Sequence, residues 1–65
     1  MQITVNAKPY DISAETLGAA LAELGFASPA IATALNGRFV PTCARDTILL
    51  ATGDQLEVLA PMQGG

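Results

Sequence analysis

Apolar and polar positions alternate from the start of the chain: between Met1 and Asn6, Ile3 and Val5 fall on one side and Gln2 and Thr4 on the other. A period of two marks a strand with one face buried. Asn6-Ala7-Lys8 then has turn chemistry, and Tyr10 and Ile12 alternate with Asp11, which predicts a short returning strand. Pro9 belongs at the start of that strand or on a sheet edge, because it has no N–H to donate to a ladder. The period changes in "SAETLGAALAELG", where Leu17, Ala20, Leu21 and Leu24 recur at helical spacing. Thr16 or Ser13 is available as N-cap, Glu15 lies near the positive end of the helix dipole, and Gly25 stands where a left-handed residue ends a helix. Gly18 inside this helix costs up to ~1 kcal/mol relative to Ala, a cost that close approach to the sheet would offset.

Alternation returns at Ile31, Thr33 and Leu35, ahead of Asn36-Gly37. Both residues of an Asn-Gly pair tolerate positive φ, so the pair favours a two-residue hairpin turn, with Phe39 and Val40 on the returning strand. In "PTCARDTILL" no period is clear; Pro41 ends the strand, and Ile48 to Leu50 are expected to pack beneath the sheet. "ATGD" (Ala51 to Asp54) is a turn, after which Leu56, Val58 and Ala60 alternate with Glu57 and Leu59 in a last strand. One helix with one apolar stripe is buried by lying across one face of a mixed sheet. The expected fold is therefore a two-layer α+β domain of the β-grasp kind, with four to five strands and the first and last adjacent and parallel.

Composition narrows what such a domain does. The 65 residues make one domain, and a chain this short buries only about 60% of the surface its unfolded form exposes. Hydrophobic residues are 51% of the chain and charged ones 14%, so it folds, around a thin core of Leu, Ile, Val and Ala. Six acidic residues against three basic ones give a net charge of −3, and Lys8, Arg38 and Arg45 form no run. Nucleic acid and anionic membranes, which require concentrated positive charge, are not expected partners. Cys43 is the only cysteine and there is no His, so neither an internal disulfide nor a Cys/His zinc site is expected, and no metal is assigned. The N-terminal stretch "MQITVNAKPY" is unlike a secretory leader, and a cytoplasmic protein is the expectation.

The chain finishes on "PMQGG", which packing does not explain, since Gly64 and Gly65 have no side chain to bury. The expected division is a domain over 1–60 and a flexible tail over 61–65. Pro61 stops strand pairing, and five extended residues reach roughly 17 Å, enough to enter another protein's active site. Without Cβ atoms, Gly64 and Gly65 suit a narrow channel, with Gln63 behind them.

The segments "TLGAALAELG", "ALNGRFVP" and "GDQLEVLAPMQGG" together resemble the ThiS-type sulfur carriers of thiamine biosynthesis, within the ubiquitin-like β-grasp proteins, over nearly the whole chain. The resemblance departs at Thr42 and Arg45, where many relatives carry a basic residue and an aromatic, so no partner contact is carried over for residues 42–47. It implies a co-substrate and not an enzyme. The Gly65 carboxylate would be adenylated by an E1-like activating enzyme of the ThiF type using Mg-ATP, converted to a thiocarboxylate, and presented to a thiazole synthase of the ThiG type. The carrier itself would bind no cofactor.

Two other functions fit the same residues. The small subunit of molybdopterin synthase shares the carrier chemistry with a different acceptor, and a passive β-grasp interaction module would have an idle tail. Leu59 is expected on the sheet face opposite the helix and is a candidate for partner docking, with Glu57 and Asp54 at its margin. Cys43, with only Arg45 nearby to favour a thiolate, is expected to be a small inert hydrophobe.

Overall fold

The computed structural model describes residues 1–26 and 30–59. In chain order these form β1 (Gln2–Val5), β2 (Lys8–Asp11), α1 (Leu17–Leu24), β3 (Ala32–Leu35), β4 (Arg38–Val40), a 3-10 helix (Thr42–Thr47) and β5 (Gln55–Leu59). The strands make one sheet in the order β2-β1-β5-β3-β4. β1 and β5 are parallel, with Thr4 opposite Gln55 and Val5 opposite Leu56, and the other pairings are antiparallel. The last strand thus lies at the centre of the sheet, adjacent and parallel to the first as expected. This is the β-grasp arrangement.

Both hairpins close with two-residue turns. Asn36 and Gly37 have φ of 51° and 84°, the left-handed pair expected of Asn-Gly. Asn6 and Ala7 do the same at 51° and 69°, so the first turn places an alanine in a conformation that costs an L-residue roughly 1–2 kcal/mol. β2 begins at Lys8, earlier than the alternation of Tyr10 and Ile12 suggests, and Pro9 sits inside it opposite Thr4. Pro9 is accommodated there because β2 is an edge strand, whose outer side needs no donor.

α1 buries Leu17, Ala20 and Leu21 against Ile3, Val5, Val40, Leu56 and Val58, and Ile12 and Leu50 complete the core. Replacing a side chain as enclosed as Leu21 by Ala costs about 2–5 kcal/mol, much of the stability available to so small a domain. Of the two candidate caps, Thr16 caps the helix, its Oγ1 accepting from the Ala19 N–H at 3.2 Å. Ser13 instead donates its backbone N–H to the Glu23 carboxylate at 3.0 and 3.1 Å, and Ala14 donates to the same group at 3.0 Å. Gly25, at φ 87°, ends the helix and donates to the Ala22 carbonyl at 3.2 Å.

The unreadable stretch after Pro41 holds three corrections. Gly18 does approach a neighbour closely, but the neighbour is the 3-10 helix and not the sheet: a Cβ there would collide with the Asp46 carboxylate. Cys43 is exposed, because the 3-10 helix turns Ala44 and Arg45 inward and leaves Cys43 outside. Of Ile48 to Leu50, only Ile48 and Leu50 pack inward, while Leu49 is 73% exposed. Their backbone runs extended beside the helix start, Leu17 N–H donating to the Ile48 carbonyl at 2.9 Å and Leu50 N–H to the Glu15 carbonyl at 2.8 Å. Arg45, 7% exposed, donates through Nε to Thr33 Oγ1 at 3.2 Å and through Nη2 to the Ile31 carbonyl at 2.6 Å. Thr33 Oγ1 in turn donates to the Val40 carbonyl at 2.9 Å, so a buried polar network joins the 3-10 helix to β3 and β4.

Candidate functional site

β5 carries the residues of interest. Its Leu56 and Val58 point into the core, and Gln55, Glu57 and Leu59 point to the open face of the sheet, away from α1. Leu59, 65% exposed, pairs with Ala32. Glu57 pairs with Ala34, which pairs in turn with Phe39, 69% exposed. With strands about 4.8 Å apart, Leu59, Ala32, Ala34 and Phe39 form one apolar surface with Glu57 beside it.

Phe39 is the member that sequence reasoning missed. The signal was there: once Val40 faces the core, alternation turns Phe39 outward, on the same side as Ala34 and Leu59.

Asp54 is not part of this group. It lies at the opposite end of β5, half-buried, and both carboxylate oxygens are engaged: Oδ2 accepts from the Ala51 N–H at 2.8 Å and Oδ1 from Asn36 Nδ2 at 3.1 Å. The structure therefore brings Leu59 and Glu57 together and sets Asp54 apart from them. Lys8 and Arg38 lie on opposite edge strands and Arg45 is internal, which leaves the open face without concentrated positive charge.

The two turn asparagines grip β5 from either side. Asn36 Oδ1 accepts from the Gln55 N–H at 2.9 Å. Asn6 Oδ1 accepts from the Val58 N–H at 2.9 Å while its Nδ2 donates to the Val58 carbonyl at 3.1 Å. Beside this second contact is a shallow depression of about 400 Å³, lined by Thr4, Asn6, Ala7, Gln55, Leu56 and Glu57. Ala60, Pro61, Gln63, Gly64 and Gly65 lie outside the described residues. No helix among the described residues is long and apolar enough to cross a membrane.

The model of the ThiS family matches residues 3–65 of the chain. The crystal structure of a thiamine biosynthesis protein (ThiS) from Geobacter metallireducens is similar, with a TM-score of 0.84 and 33% sequence identity over the whole of both chains. A solution NMR structure of a thiamine biosynthesis protein from the same organism gives a TM-score of 0.78 at 30% identity, covering all of this chain and 88% of that one. No curated protein matches the chain significantly. The chain belongs to the ThiS family, small sulfur carriers of thiamine synthesis.

Proposed function

We propose that the chain carries sulfur to the thiazole ring of thiamine on the carboxyl group of Gly65. The observation that supports this best is the family match, which runs through to Gly65 along a chain whose last strand occupies the sheet centre. An α-carboxylate ionises at a pH of about 3.5 and is an anion, hence a poor electrophile, near neutrality. Attack of this carboxylate on the α-phosphate of ATP releases pyrophosphate and leaves an acyl-adenylate, whose carbonyl a sulfide can attack with AMP as leaving group. The product is a thiocarboxylate. No acid or base of the carrier is required, since an E1-like activating enzyme of the ThiF type supplies them together with Mg-ATP. A thiazole synthase of the ThiG type then accepts the sulfur, in the cytoplasm.

Docking and reactivity are divided in this proposal. The apolar surface around Leu59, with Phe39 across the sheet and Glu57 beside it, gives affinity for the partners. Gly64 and Gly65, followed inward by Gln63, thread the channel in which the chemistry takes place. Asp54, engaged within the fold, supports the strand rather than the partner.

Incubation with the activating enzyme, Mg-ATP and sulfide, followed by intact-mass measurement and fragmentation, tests the reading. The expected result is replacement of one oxygen by sulfur at Gly65. An unmodified chain, or sulfur located on the exposed Cys43, overturns it. Rescue of thiamine auxotrophs but not of molybdenum-cofactor auxotrophs is expected to set the acceptor.

A further inference from the structure

On one side β5 is paired along its length by β3, as far as Ala32 opposite Leu59. On the other side the backbone of β1 reaches only as far as the Leu56 carbonyl, which accepts from the Asn6 N–H at 2.9 Å. There the chain turns away through Asn6 and Ala7, and the next ladder position, at Val58, would be left with its N–H and C=O open. The Asn6 side chain occupies that position, accepting from one group at 2.9 Å and donating to the other at 3.1 Å. A carboxamide carries a donor and an acceptor much as a peptide unit does, so one side chain extends the ladder past the end of its strand.

We propose, resting on the carrier reading, that Asn6 is a positioning residue for the sulfur-carrying end. Its carboxamide fixes Val58 on the β1 side, and so sets the point from which the seven residues Leu59 to Gly65 reach into the partner, as well as the orientation in which Leu59 is offered. Loss of the carboxamide leaves Val58 and Leu59 held from the β3 side alone. The entropy of ordering this loosened end then falls on the binding step.

Asn36 is the matched control. It has the same φ of 51°, grips the same strand through Gln55, and acts at the end remote from Leu59. Asn6→Gly and Asn36→Gly both retain a residue suited to positive φ and remove the carboxamide, and the backbone freedom that Gly adds is the same in both turns. With the E1-like activating enzyme and Mg-ATP, followed by pyrophosphate release, Asn6→Gly is expected to raise KM for the carrier about tenfold, equivalent to about 1.4 kcal/mol. Its kcat should stay within about twofold, and Asn36→Gly should leave KM within about twofold. Amide hydrogen exchange at Val58 should accelerate about tenfold in Asn6→Gly and not in Asn36→Gly.

Asn6→Asp keeps the acceptor for the Val58 N–H but sets a second oxygen against the Val58 carbonyl, and it is expected to show the same KM rise. It gives the reading if Asn6→Gly fails to fold. Equal KM values for the Asn6 and Asn36 variants, or unaltered Val58 exchange, overturn the positioning role while pyrophosphate release by the unaltered protein leaves the carrier reading intact. No release by the unaltered protein overturns both.

Discussion

The two ends of β5 are held by the same device and surrounded differently. At the start, Asn36 takes the Gln55 N–H, Asp54 takes Asn36 Nδ2 and the Ala51 N–H, and Gly53 donates to the Gln2 carbonyl at 2.8 Å. That end is tied back to the rest of the fold by these bonds. At the other end, Asn6 holds Val58, and the next residue is the exposed Leu59. A turn asparagine that bonds a neighbouring strand is thus a stabilising contact at one end and a presenting contact at the other. What lies beyond the strand decides which.

The largest effect expected from this asymmetry comes at the presenting end. Deleting Gly64 and Gly65 should abolish thiocarboxylate formation while changing stability by less than about 0.5 kcal/mol, as for surface changes in general. The carboxylate would then belong to Gln63, about 7 Å short of the reacting centre, a displacement that positional catalysis does not tolerate. Gly65→Val should act similarly through its branched side chain. Paired melting curves and intact-mass assays check both, and sulfur transfer by either variant would contradict a threaded end.

A smaller effect is expected at the docking surface. Leu59→Lys should weaken calorimetric affinity for the activating enzyme about tenfold, a loss of about 1.4 kcal/mol, with the far-UV circular dichroism unchanged. Leu49→Lys is the control. Leu49 is as exposed as Leu59 but lies in the segment paired with the helix cap, through Thr16. Equal losses for the two would indicate a charge effect and not a docking surface.

At the start of β5 the readout changes from reactivity to stability. Asp54→Ala removes two charge-assisted hydrogen bonds and should cost about 1–2 kcal/mol. For a domain of this length 1 kcal/mol corresponds to a fall in Tm of about 4–8 °C. The folded fraction should be adenylated at the unaltered rate. A raised KM for this variant would place Asp54 at the partner surface after all.

How far this asymmetry was legible in advance depended on whether the signal was periodic. The alternation at Ile3, Val5, Leu56 and Val58, the helical spacing from Leu17 to Leu24 and the Asn36-Gly37 pair led to the correct layers and topology, because each buries one face or requires one torsion. The parts that were not legible are those in which a side chain bonds to a group far away in sequence. Asn6 to Val58 spans 52 residues, Arg45 reaches Thr33 and Ile31, and Glu23 holds the N–H groups of Ser13 and Ala14. None of these has a local pattern, since the partner is set by the fold. Leu59 and Glu57 were legible as outward positions of an alternating strand, whereas Asp54 was grouped with them because its bond to Asn36 of another hairpin leaves no trace in the local sequence.

The smallest expected effect compares the two turns by exchanging their small residues. Ala7 at φ 69° and Gly37 at φ 84° occupy equivalent positions, but only Gly37 is a residue for which that region carries no steric penalty. Ala7→Gly relieves the strain of a left-handed alanine and gives back part of the gain as added freedom of the unfolded chain. The net expectation is a stabilisation of about 0.5 kcal/mol, a rise in Tm of about 2–4 °C. Gly37→Ala has the opposite sign. A Cβ at Gly37 meets nothing within 4 Å, so its cost is torsional alone, about 1 kcal/mol. Neither change touches an asparagine side chain, and KM for activation should therefore stay within about twofold in both. If Ala7→Gly stabilised the domain yet raised KM, the rigidity of the Asn6-Ala7 backbone, and not the carboxamide alone, would be what holds the end of β5 in place.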